Sequence, residues 1–179
     1  DYAVTGVQTC ALPISGGRKR RQCEVSAMRR EEREIRDQAE ILGIMKEALV
    51  CRLGFSDAGT PYVVPMNFGL GENCIYLHCA RAGRKLDIIR KNDKVCFEMD
   101  LLRELTQGPT ACGWGARYES IIGFGRAVLV ENPSEKRAAL DRIMDHYGAQ
   151  GPFSYPDDIL AKTEVIRIAI ESVTGKRRV

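Results

Sequence analysis

Arg84 and Lys85 follow Gly83 at the start of a short helical pattern whose apolar residues are Leu86, Ile88 and Ile89. A helix N-terminus carries unpaired backbone N–H groups and a partial positive charge, so a phosphate group fits there readily. Two cations in that first turn run against the usual preference for acidic residues. An anion bound at the helix start would neutralise them, and the pair therefore reads as a phosphate site. A surface helix carrying two solvated cations is the alternative. The strand-like run from Ile75 to Cys79 leads directly into this turn.

Other chemistry is thinly represented. Cys74, His78 and Cys79 do not have CxxC spacing, and strand neighbours alternate between faces, so no metal site is expected. No Ser-His-Asp set or paired carboxylates stand out. Gly123-Phe124-Gly125 lacks the third glycine and the following helix of a dinucleotide fingerprint. His146 lies near the C-terminus of a helical segment, where the helix dipole accounts for it.

Residues 4–15, VTGVQTCALPIS, resemble the conceptual translation of a sequencing-adapter oligonucleotide. Residues 16–27 hold a Gly-Gly pair and the basic run Arg18-Lys19-Arg20-Arg21 without apolar periodicity, so 1–27 is expected to be a non-native or disordered tail and Met28 the native start. Without it, four of the 27 cations and two of the 24 acids drop out, leaving 152 residues with a formal charge of +1. That length suits one domain, residues 28–179, with a proper core. The near-neutral balance gives no electrostatic case for nucleic acid or an acidic membrane surface. No apolar run approaches the roughly 20 residues that span a bilayer. Five cysteines remain (Cys51, Cys74, Cys79, Cys96 and Cys112), mostly in apolar strand-like runs where a free thiol behaves as a small hydrophobe, and a reducing cytoplasm is the expected setting.

Elements that would position the basic turn can be read from periodicity. Asp37 and Glu40 form a capping box for a helix with the stripe Ile41, Leu42, Met45, Ala48 and Leu49. Six strands are predicted at 50–55, 61–69, 74–79, 94–99, 117–130 and 163–173, with 101–110 ambiguous. Gly123 and Gly125 inside a strand predict a bulge, a bend or a close backbone approach. Asn132-Pro133-Ser134-Glu135 caps a second long helix with the stripe Leu140, Ile143, Met144 and Tyr147, and 148–156 is a loop. In the last strand Ile166, Ile168 and Ile170 alternate with Arg167 and Glu171. Short connections and few helices predict a mainly β fold, an antiparallel six-stranded barrel with peripheral helices.

The succession GTPYVVPMNF (59–68), IYLHCA (75–80), GRKL (83–86), Asn92 and VCFE (95–98) resembles the pyridoxamine 5'-phosphate oxidase-like, FMN-binding split barrels. ACGWGARYESIIGFGR (111–126) and TGKR (174–177) resemble their nitroimidazole-resistance (Nim) branch. The resemblance covers about residues 29–178; the order and spacing of the motifs carry it. It implies a homodimer with FMN in a groove at the subunit interface, the ring beside Val64, Pro65, Met66 and Asn67, largely against backbone. His78, Cys79 and Ala80 would pass the ribityl chain and phosphate, with Gly83, Arg84 and Lys85 at the phosphate. Ordinary strand sequence is the alternative for 64–67. Ser120 matches a flavin-contacting polar position, with a solvated strand serine as its alternative. Trp114 and Tyr118 would cover the flavin from the second subunit, or pack in the core. The oxidase's C-terminal segment with substrate-phosphate contacts is not matched, so pyridoxamine phosphate is not the expected substrate. The expected activity is a flavin-dependent reductase passing electrons from NAD(P)H through FMN to a small acceptor such as a nitroaromatic, with His78 the candidate proton donor; the alternative is a non-catalytic flavin- or haem-binding module.

Overall fold

The local start signals act as expected except that Glu40, the second half of the expected capping box, pairs with Arg177 at 2.8 Å. Asp37 accepts the Ala39 N–H at 2.8 Å and opens α1 (Gln38–Glu47). Asn132 accepts the Ser134 and Glu135 N–H groups at 2.9 and 3.1 Å, ahead of Pro133 in the first turn of α3 (Pro133–His146). The computed structural model describes residues 28–179, and the tail expected at 1–27 lies outside the described residues. The remaining elements are β1 (Glu34–Ile35), β2 (Cys51–Asp57), β3 (Thr60–Met66), β4 (Phe68–Gly71), β5 (Cys74–Ala80), α2 (Arg84–Lys91), β6 (Lys94–Thr106), β7 (Gly115–Leu129), α4 (Asp157–Lys162) and β8 (Thr163–Arg178).

These strands make one antiparallel sheet in the order β3-β2-β6-β7-β8-β5-β4, with β1 added to β8. The mainly β class with peripheral helices stands, but the expected six-stranded split barrel does not: the sheet has eight strands and is open. The run 61–69, read as one strand, is two. The backbone changes partner at Asn67, so β3 pairs with β2 while β4 pairs with β5. No ladder joins β3 to β4, and each ends the sheet as an edge. The eighth strand is β1, only two residues long, which pairs with Gly175 and Lys176.

The inner face of the sheet holds Leu53, Ile75, Leu77, Phe97, Met99, Ile121, Ile166 and Ile168, each at most marginally exposed. α2 contributes Leu86, Ile88 and Ile89 to this core, as its spacing predicted. α1 buries Ile41, Ile44, Met45 and Ala48, but Leu42 and Leu49 of the expected stripe are exposed. α3 buries Ala139, Leu140 and Ile143, whereas Met144 and Tyr147 reach the surface. Tyr147 instead uses its hydroxyl, which donates to the Leu49 carbonyl at 2.7 Å and accepts the Phe68 N–H at 3.2 Å. His146 sits beside it, with Nε2 2.8 Å from the Ala48 carbonyl and its ring 4.2 Å from that of Phe68. Gly69 allows β4 to lie directly on α3, for a Cβ there would be 2.5 Å from backbone atoms of Arg142 and Ile143. The strand glycines of β7 serve two ends: Phe97 covers Gly123, and a bulge at Gly125 leaves Glu171 without a cross-strand partner. The bulge falls just after Ile170, which is half-buried and packs against the core.

Candidate functional site

A cleft of about 430 Å³ opens where the sheet fails to close. One wall is the end of β3 with the crossing residue: Val64, Pro65, Met66 and Asn67. The other is the end of β5 with α2: His78, Cys79, Ala80 and Lys85. β3 is paired on one side only, and its two prolines, Pro61 and Pro65, suit an edge strand because neither has an N–H to donate. β5 is paired with β4 only as far as Leu77, so residues 78–80 keep their ladder with β8 but have none on the cleft side. Two backbones therefore face the cleft with N–H and C=O groups that lack ladder partners, and such groups must be satisfied by water or by a ligand. Val64 and Met66 turn half inward against the core, while Pro65 and Asn67 are exposed.

Lys85 marks the polar end of this cleft. Gly83 precedes α2 with a φ of 140°, a conformation glycine tolerates, and its carbonyl accepts the Leu86 and Asp87 N–H groups at 3.0 and 3.3 Å. No side chain caps α2, so the start of the helix keeps donors available to an anion. Arg84 does not line the cleft. Its guanidinium lies 3.5 Å from Asp57 and 4.7 Å above the Tyr62 ring. Asp57 and Tyr62 were not singled out by the sequence, because they meet Arg84 only through the folding of the β2–β3 hairpin onto α2.

His78 stands on the open side of β5, yet enough protein surrounds its imidazole that desolvation holds its pKa below the ordinary histidine value. That shift favours the neutral ring, with one nitrogen to donate and one to accept. Burial pushes the Cys79 thiol up, against the opposing pull of the Lys85 charge. Cys51 is deeper, and burial raises it to about 12. All five cysteines among the described residues are free. Among the described residues no three His, Cys, Asp or Glu side chains are grouped to hold a metal, and no helix is long and apolar enough to cross a membrane.

Eight of the residues singled out from sequence thus come together, and five do not: Gly83 and Arg84 flank the cleft, while Trp114, Tyr118 and Ser120 are absent from its walls. Ser120 is in β7 between Asp100 of β6 and Lys176 of β8, and Trp114 precedes β7, more than half exposed. Trp114 has Leu102 and Leu105 as exposed companions on the stretch of β6 and β7 that extends past the last β2 partner, Glu98.

A family model described as pyridoxamine 5'-phosphate oxidase matches residues 37–177. Among solved structures, a protein of Bacteroides thetaiotaomicron VPI-5482 provisionally assigned to 5-nitroimidazole antibiotic resistance is 36% identical, with a TM-score of 0.72 over 80% of this chain and 86% of that one. A flavocytochrome from Azotobacter vinelandii shares 22% identity over 85% of this chain and 72% of its own, with a TM-score of 0.71. An FAD and heme binding protein from Mycobacterium smegmatis shares 16% identity over 81% of this chain and 73% of its own, also at 0.71. At these lower identities the likeness is one of fold. No curated protein matches the chain.

Proposed function

The chain belongs to the pyridoxamine 5'-phosphate oxidase family, and from that premise we propose that it is an FMN-dependent reductase that passes electrons from NAD(P)H to a small acceptor of the nitroaromatic class. The observation that carries the reading is the cleft itself: a free strand edge along one wall and a lysine at an uncapped helix start at the other end. FMN presents a matching set of groups, a flat ring with a polar edge and a phosphate dianion on a flexible tail. The cleft volume falls within the roughly 300–1,000 Å³ typical of small-molecule sites.

In this reading the free edge of β3 pairs with the polar rim of the ring, while the side chains of Val64 and Met66 back that wall. Residues 78–80 line the tail, and Lys85 with the first N–H groups of α2 neutralises the phosphate. Bound FMN supplies the redox chemistry. His78 presents a ring N–H at the cleft wall and would hydrogen-bond the acceptor there; it delivers a proton only from its imidazolium form, which takes that proton back from water, so the step is favoured as pH falls. The exposed surface of Leu102, Leu105 and Trp114 is assigned to a second copy of the chain, which would bring Trp114 and Ser120 towards the open face of the flavin. The binding unit is residues 28–179, and the free thiols suit a cytoplasmic setting.

Purified protein should carry a flavin spectrum that bleaches on anaerobic addition of NADH or NADPH and recovers when a nitroaromatic acceptor is added. A flavin that stays oxidised under those conditions would make the protein a binder rather than a reductase, and a Soret band would replace flavin with haem.

A further inference from the structure

The two walls of the cleft part at a defined place. β2 and β3 pair from Asp57 with Thr60 as far as Cys51 with Met66. Carrying that register two residues further would set Leu49 opposite Phe68. The Tyr147 hydroxyl lies between them instead, accepting the Phe68 N–H at 3.2 Å and donating to the Leu49 carbonyl at 2.7 Å. One phenol stands where the ladder would have closed directly, and both backbone groups are satisfied through it. His146 holds the same seam one residue back, with Nε2 2.8 Å from the Ala48 carbonyl and its ring 4.2 Å from that of Phe68. From Phe68 onward β4 is fixed by its ladder with β5 and by the close approach of Gly69 to α3. Asn67, the cleft-wall residue at the change of partner, is therefore held between Met66 on the β2 ladder and Phe68 on Tyr147.

We propose that Tyr147 is a positioning residue for the cleft: its hydroxyl splits the β2–β3 ladder beyond Met66 and fixes the backbone at Asn67 that borders the flavin ring. This inference rests on the flavin reading above. Tyrosine suits the task because a phenolic hydroxyl donates and accepts at once, at the end of a rigid ring carried by the C-terminus of α3. Phenylalanine would keep the ring and lose both bonds, leaving the N–H of a fully buried residue without its partner. The backbone at Asn67 would then no longer hold one position, and its contacts with a bound ring would weaken. FMN and riboflavin share that ring, so both would lose affinity by the same factor.

The test follows three quantities in the full chain: exchange of the Phe68 amide without flavin, titration of FMN and riboflavin into flavin-free protein, and the visible absorption of bound FMN. Tyr147→Phe should speed Phe68 exchange and weaken both flavins equally, by up to about tenfold, the equivalent of one hydrogen bond. At saturating FMN its absorption band should be less resolved than the parent's, because the ring meets a less ordered wall. Tyr155→Phe removes another hydroxyl bonded to α3, 2.8 Å from Asp141, and should leave both affinities and the band as in the parent. Parent-like affinities or an unchanged band in Tyr147→Phe overturn the proposal, even with a lower melting temperature. So does Phe68 exchange at the parent rate, or a loss confined to FMN, which would place the effect at the phosphate. Equal losses in Tyr155→Phe would reduce Tyr147 to general stability and overturn it as well. Failure of the parent chain to bind either flavin would sink the flavin reading itself, and this inference with it.

Discussion

Replacing Lys85 with alanine is expected to weaken FMN binding by about 10- to 100-fold and to leave riboflavin binding nearly unchanged. A hydrogen bond to a charged group contributes about 1.5–3 kcal/mol, and each 1.4 kcal/mol is a factor of ten in affinity. Lys85 is the cation that lines the cleft, beside an uncapped helix start that contributes fixed donors of its own. The N–H groups remain in the variant, which is why the loss is not larger. Titration of both flavins into flavin-free protein decides the matter. Equal losses for FMN and riboflavin would mean that Lys85 shapes the cleft rather than binding the phosphate, and no loss would move the phosphate elsewhere.

Gly123→Ala is expected to destabilise the fold by about 3 kcal/mol, at the upper end of what overpacking a core usually costs. Gly123 is the direct cross-strand partner of Phe97, a fully buried ring. A Cβ at 123 would meet the ring at Cζ and lie 2.5 and 2.7 Å from Cε2 and Cε1. The ring is hemmed in by core, so relief requires β6 and β7 to separate. For a domain of this size the loss corresponds to a fall in melting temperature of about 6–12 °C. In a Phe97→Leu background the same alanine should cost less, because the two changes share one space. Additive effects in that double variant would show that the clash is not with Phe97.

Three residues at or beside the cleft carry a local signal, whereas Val64, Met66, Asn67 and residues 78–80 were named only through the family resemblance. Pro65 marks an edge, Gly83 a helix start, and Lys85 is a cation where an acid is usual. Asn132-Pro133 and Asp37 announced their helices, and Gly125 its bulge. What escaped depends on partners rather than on periodicity. Residues 61–69 alternate well enough to pass for one strand, and only the pairing of β3 with β2 and β4 with β5 shows the break at Asn67. Two residues of β1 are too few for a period to show. Leu42 and Leu49 fit the helical stripe, but the core ends before reaching them. Residues 101–106 were ambiguous because this stretch of β6 pairs only with β7 and, past Met99, holds no fully buried residue. Arg84 was grouped with Lys85 by the helix start and by the family resemblance, and its contacts with Asp57 and Tyr62, more than twenty positions away, carried no local signal.

The most direct test of the account is a crystal structure of the chain grown with FMN. The phosphate should lie within hydrogen-bonding distance of Lys85 Nζ, about 3 Å, at the start of α2, with the edge of the ring along residues 64–67. A well-defined FMN whose phosphate lies away from Lys85, or whose ring does not meet the edge of β3, would contradict it.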